Sequence, residues 1–123
     1  MGYVDSLKKS AAFAKTVNQN DKAATWEKLA STITDSLSEH WNGTYLYEAK
    51  GREQDGAVIH AIASFGAATA YTPTSKEAAA TITSYNQAFC MEYPINRADT
   101  AAKIPGILYG RYPGDSYAGG NPW

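Results

Sequence analysis

The stretch VDSLKKSAAFAKTVNQNDKAATWEKLASTITDSLSEH, residues 4–40, decides the fold class. Val4, Leu7, Ala11, Ala14 and Val17 recur at steps of three and four, which places them on one face of a helix. Asn18-Gln19-Asn20-Asp21 interrupts that pattern with residues that favour turns over helix interiors. The spacing then resumes through Ala23, Trp26, Leu29 or Ala30, Ile33, Leu37 and His40, and Asp21 is placed to cap the second helix or to complement its positive end. Two such helices joined by so short a polar break predict a helical hairpin.

Working outward, Trp41-Asn42-Gly43-Thr44 reads as a turn, followed by a short extended piece at Tyr45-Leu46-Tyr47 and the polar loop Lys50-Gly51-Arg52-Glu53-Gln54. Asp55 is placed to cap a third helix with Val58, Ile59, Ile62 and Phe65 as apolar positions, flanked by alanines and buried on more than one side. A fourth helix begins at the capping-box pattern Thr74-Ser75-Lys76-Glu77, carries Ala78, Ile82, Tyr85 and Phe89 on one face and is stopped by Pro94. Beyond Pro94 the chain reads mainly as loop. The expectation is an all-α fold of about four helices in two consecutive pairs, with long loops, and no linker or repeat divides residues 1–123 into more than one segment.

With 123 residues and a formal net charge of −1, the chain offers no electrostatic case for nucleic acid or an anionic membrane. Its apolar stretches are far shorter than a membrane span, and Met1 to Leu7 lacks the basic start and apolar centre of a signal peptide. Cys90 stands alone, which leaves no intrachain disulfide and no cysteine-based metal site. His40 and His60 have no ligand-spaced partner, so capping or partly buried imidazoles are expected, and no cofactor or metal is implied. Asn42-Gly43-Thr44 is a glycosylation acceptor triplet, relevant if the protein is exported.

The functional signal is concentrated in Gly110-Arg111-Tyr112-Pro113-Gly114-Asp115-Ser116-Tyr117-Ala118-Gly119-Gly120-Asn121-Pro122-Trp123. Prolines and glycines shape this run where no regular element persists. Arg111 brings a planar fork of donors, Asp115 a pair of acceptors, and Tyr112, Tyr117 and Trp123 flat faces that suit pyranose rings. Gly114-Asp115-Ser116-Tyr117-Ala118 nearly matches a nucleophile elbow, but both histidines lie upstream and no helix can follow it.

The run closely resembles the Gly-Arg-Tyr-Pro-x-Asp-x-Tyr-x-x-Gly-Asn-Pro-Trp segment of fungal glucoamylases, inverting exo-glucosidases of glycoside hydrolase family fifteen. Ala11 to Lys15, Ala23-Ala24-Thr25-Trp26, Trp41-Asn42-Gly43-Thr44-Tyr45 and Asp55-Gly56 follow the family's order, so the resemblance covers essentially the whole chain. It implies an interior stretch of an (α/α)6 toroid and a secreted parent that releases glucose from the ends of starch-type α-glucans.

The resemblance also implies that the two catalytic glutamates lie before and beyond this stretch. An inverting pair needs carboxyls about 6.5–9.5 Å apart, and Glu27, Glu39, Glu48, Glu53, Glu77 and Glu92 read as surface, cap or loop residues, so no catalytic residue is assigned. The matching family positions make Arg111, Asp115, Tyr117 and Trp123 the substrate-binding set. Taken on chemistry alone, Arg111 could instead pair with a nearby carboxylate or carbonyls, Asp115 could brace the loop, and Tyr117 could serve in packing. The expected partners are an α-glucan or maltooligosaccharide, and either the remainder of the catalytic domain or a second copy of the chain. The alternatives to a glucoamylase segment are a non-catalytic carbohydrate-binding module and a structural, self-assembling helical unit.

Overall fold

A computed structural model describes residues 1–115, and these form five α-helices and two short 3-10 turns without a named β-strand. Helix α1, Gly2–Thr16, and α2, Asn20–Ser36, make the predicted hairpin. Asn18 adopts φ 58°, and the amides of Asn18 and Gln19 turn back to the carbonyls of Lys15 and Ala14 at 3.2 and 2.9 Å. That left-handed cap closes the end of α1 and reverses the chain. Ala11, Ala14 and Ala23 are buried between the helices beside Trp26, because methyl-sized side chains let the backbones approach closely. The open choice between Leu29 and Ala30 resolves to Ala30, which is buried while Leu29 is exposed. Val17, the C-cap, and His40 also lie exposed, since α2 ends at Ser36 and Leu37–His40 is a 3-10 turn.

Helix α3, Gly56–Phe65, starts as expected at Asp55, whose carboxylate accepts the Ala57 amide at 2.8 Å. Val58 and Ile62 are buried, while Ile59 and Phe65 are only half-buried, so burial on this helix is narrower than its apolar content suggests. Helix α4, Lys76–Glu92, is capped by Ser75 through the Ala78 amide at 3.1 Å. The cap sits one residue later than Thr74, which puts Ala78 rather than Glu77 at the third helical position. The stretch beyond Pro94, expected as loop, holds a fifth helix, α5, Pro94–Ala101, with Pro94 in its first turn. Proline ends α4 there and is tolerated at the opening of the next helix, where its missing N–H is not needed.

The main core joins Leu46, Val58, Ile62, Tyr71, Ala78, Tyr85 and Phe89, with Trp41, Tyr45, Tyr93 and Tyr109 packed at its edge. Its organiser is α4, against which two irregular segments lie. Leu46, from the first, is buried and donates its amide to the Thr81 hydroxyl at 2.9 Å. The Tyr85 hydroxyl lies 2.9 Å from the carbonyls of both Leu46 and Glu53 and shares its proton between them. Burial raises the Tyr85 pKa well above its ordinary value, so this donor stays protonated. Around Leu46 the chain makes isolated antiparallel bridges, Trp41 with Leu46 and Ala49 with Arg52, in place of a full hairpin.

The second irregular segment is held by Asn96, a buried residue of α5. Its amide group donates to the carbonyls of Phe89 and Leu108 at 2.9 Å each, and its carbonyl oxygen accepts the Leu108 amide at 2.9 Å. One side chain thus ties the end of α4 to the loop that follows α5. Replacing it with alanine would remove these partners from the Leu108 amide and carbonyl, while the Phe89 carbonyl would keep the Tyr93 amide at 3.2 Å. Asn96→Ala is expected to lower unfolding free energy by about 2–4 kcal/mol and to speed hydrogen exchange at the Leu108 amide. A loss below about 0.5 kcal/mol in chemical denaturation would show that water replaces the clamp.

Candidate functional site

From the Leu108 clamp the chain runs to a turn built by its own residues. Pro113 and Gly114 occupy the central positions, Gly114 has φ 75°, and the Asp115 amide returns to the Tyr112 carbonyl at 3.2 Å. This is the type II arrangement, in which proline fixes the first central residue and glycine takes the positive φ of the second. The reversal brings Asp115 onto Arg111. Arg111 Nε donates to Asp115 Oδ2 at 2.9 Å and Nη2 to Oδ1 at 2.6 Å, a two-pronged pair.

That hydrogen bonding to Arg111 holds the Asp115 carboxyl below the usual aspartate range, and its bond to Asp115 in turn raises the Arg111 pKa. The Asp115 side chain is only 1% accessible, but it does not lie deep in the protein, and its partner Arg111 is 40% exposed. The pair therefore sits in solvent-screened surroundings. A carboxylate held in this way is an acceptor and a brace, and it is poorly suited to act as a proton donor.

Two helix ends fix the loop from outside. The first free amide of α3, at Gly56, donates to the Arg111 carbonyl at 2.7 Å, and Glu92 at the end of α4 accepts the Gly114 amide at 2.9 Å. Gly56 is required by space: a Cβ there would stand 2.6 Å from the Gly110 carbonyl oxygen. At Gly110 the obstacle is a side chain: a Cβ there would fall 1.8 Å from the Tyr93 hydroxyl, so the Tyr93 ring would have to move. Tyr109 anchors the loop's base, with its ring edge-on to Phe89 at 5.0 Å between centroids and its hydroxyl bonded to Asn86.

The Tyr112 ring carries two guanidinium groups, Arg111 at 5.0 Å and Arg52 at 4.8 Å from its centroid. Arg52 comes from the polar loop before α3, and its Nε approaches the Asp55 carboxylate at 3.7 Å. Sequence reasoning grouped Arg111 with Asp115 but left out Arg52, Gly56 and Glu92. The polar run around Arg52 carries no pattern that marks a loop contact, whereas Asp55-Gly56 did stand among the family-like pieces.

Of the expected substrate-binding residues, Arg111 and Asp115 are brought together, and Tyr117 and Trp123 lie outside the described residues. Asn42 sits apart in an exposed turn, its side-chain carbonyl accepting the amides of Thr44 and Tyr45 at 2.9 Å, with Gly43 at φ 93°. Some of the acidic residues make side-chain contacts within the fold. Glu27 pairs with Lys15, and Glu53 accepts the Tyr45 hydroxyl at 2.6 Å, the bond that chiefly raises the Tyr45 pKa.

Both histidines are exposed; His40 Nδ1 donates to the Tyr47 carbonyl at 3.0 Å, and His60 lies edge-on to Phe65. An apolar cleft of about 120 Å³ lies between Met1, Leu37, Leu46, Val58 and Tyr71, far from the volume of an enclosed ligand pocket. No helix among the described residues is long and apolar enough to cross a membrane.

Comparison with known proteins agrees with this architecture. The chain is similar to Glucoamylase 1 of Rhizopus oryzae, with 29% identity over 131 aligned residues that cover 92% of this chain and 21% of that protein. It thus spans about a fifth of the length of that relative. No solved structure matches it significantly. The family model for glycosyl hydrolases family 15 matches residues 1–123, the full stretch that carries the helical pairs and the Arg111 loop, and the chain belongs to that family.

Proposed function

We propose that this chain is one incomplete segment of a glucoamylase-like catalytic domain, in an exo-acting, inverting α-1,4-glucosidase of starch-type glucans. Its part is to supply a wall of the substrate cleft, and the chemistry belongs to residues outside it. The observation that carries the reading is the Arg111–Tyr112–Asp115 turn, presented at the surface and held by helix ends at Gly56 and Glu92. Guanidinium donors fixed on a surface loop suit a neutral, hydroxyl-rich ring.

Inactivity of the chain alone belongs to the same reading and is supported in part by acidic side chains already engaged: Asp115 by Arg111, and Glu27, Glu53 and Glu92 by Lys15, Tyr45 and Gly114. Tyr117 and Trp123 are further substrate-binding residues in this proposal, on the strength of the family motif that their positions match. Export of the parent protein, with Asn42 as a glycan acceptor, belongs to the same reading and is supported by the exposed turn that presents it.

A structural reading is favoured by one further observation. Tyr3, Phe13, Met91 and Ile95 are exposed at 81%, 67%, 72% and 54%, large apolar side chains that the remainder of a domain or a second copy could cover. Sedimentation of the isolated chain separates these, because self-association would appear as a concentration-dependent rise in mass.

The glucan reading is tested by titrating the full chain with maltose and following backbone amide shifts. Saturable shifts are expected at residues 110–115, without glucose release from maltooligosaccharides. Arg111→Lys, which keeps the charge and loses the fork, should weaken binding by about tenfold while helical dichroism holds. Shifts confined to the Tyr45–Tyr47 turn would place the contact elsewhere.

The ion pair gives a second test. Because its folded pKa is depressed, Asp115 contributes stability above its unfolded pKa, near 3.8, and that contribution is lost as pH falls through the lower folded value. Carboxyl carbon resonances should show Asp115 titrating below 3.8, and Arg111→Lys should move the midpoint upward. A wild-type midpoint at or above 3.8 would contradict the bidentate brace.

A further inference from the structure

We infer that Arg52 is a second sugar-hydroxyl donor of this surface, acting beside Arg111 over the Tyr112 ring; this rests on the glucan contact proposed above. Occupancy of the two guanidinium groups is the basis. Arg111 commits Nε and Nη2 to Asp115, which leaves Nη1 as the nitrogen without a hydrogen-bond partner among the described residues. Arg52 approaches Asp55 only through Nε, at 3.7 Å, beyond hydrogen-bond distance, and its side chain is 48% exposed. Both of its terminal nitrogens are without a hydrogen-bond partner among the described residues. Among the described residues, more donor capacity therefore stands on Arg52 than on the arginine that the sequence motif marks.

Position makes that capacity useful. The Arg52 guanidinium lies 4.8 Å from the centroid of the Tyr112 ring, which Arg111 approaches at 5.0 Å, so one aromatic ring gathers both cations at the loop. The Asp55 carboxylate is already satisfied by the Ala57 amide, and it offsets the charge of Arg52 as Asp115 offsets that of Arg111. A patch with two cations and two carboxylates is close to neutral. It favours a ligand bound by directed hydrogen bonds over one drawn by charge, which selects glucan hydroxyls over phosphate.

The experiment follows the arginine side-chain Nε–H signals of the full ¹⁵N-labelled chain during titration with maltose and, separately, with inorganic phosphate. The expected result is a saturable shift of the Arg52 signal with the same midpoint as the amides of residues 111–115. Arg52→Lys should raise that midpoint by about fivefold or more, while exchange protection of the Gly56 and Gly114 amides stays unchanged, a combination that a bracing role would not give. The wild-type Arg52 signal reads the contact even where the variant disturbs the loop.

Maltose shifts in the loop with Arg52 silent and Arg52→Lys binding as wild type would overturn the role of Arg52 and leave the glucan reading standing. A response to phosphate alone would overturn the neutral-ligand assignment. Absence of any maltose response in the wild-type chain would overturn the glucan reading, and the role of Arg52 with it.

Discussion

Two long irregular segments packed on one helix create the constraint on which this structure depends: their backbone amides and carbonyls lose water and must find partners that no regular element supplies. Helix α4 and its extension into α5 solve this with side chains. Thr81 and Tyr85 bind the amide and carbonyl of Leu46, and Asn96 binds those of Leu108. Thr81 also donates to the Glu77 carbonyl at 2.6 Å, so its hydroxyl is satisfied on both sides. Each of these polar residues is fully buried, and each joins chain segments remote in sequence. The apolar core supplies the driving force for collapse, while these bonds determine which loop atoms lie where.

The position of the Arg111 loop follows from that arrangement. Clamped at Leu108, the chain passes Tyr93 at Gly110 and then meets the start of α3, where the approach to Gly56 is one only glycine permits. It then folds back in the Pro113-Gly114 turn. The close approach at Gly56 also lets its amide donate to the Arg111 carbonyl. A helix terminus that would otherwise need solvent or a side-chain cap thus becomes a fixture for a surface loop. The outcome is a surface whose backbone is held at several points and whose side chains remain partly exposed, the combination needed to recognise a ligand with little ordering cost on binding.

Within the loop, chemistry and scaffolding share residues. Asp115 and Arg111 were expected either to contact a ligand or to brace the loop, and the two-pronged bond shows that bracing occupies much of both. This explains why the residue with the strongest family signature is not the one with the most open donors. Arg52, beside the Tyr112 ring and the Asp55 carboxylate, has both terminal nitrogens without a hydrogen-bond partner among the described residues.

The sequence by itself determined what short-range geometry controls. The three- and four-residue spacing from Val4 onward marked the helices, Asn18 to Asp21 marked the reversal, Asp55 marked the start of α3, and the terminal run marked the family. Those signals lie within a few residues of the structure they specify. Helix α5 escaped because Pro94 was read only as a stop, although the same proline suits a first helical turn. Only the tertiary structure decided that Thr81 and Asn96 are core residues, since a polar side chain looks like surface until the distant carbonyl or amide it satisfies is known. It alone brought Arg52 and Glu92 to the Arg111 loop, because long-range pairing of polar groups leaves no periodic trace in the chain that makes it.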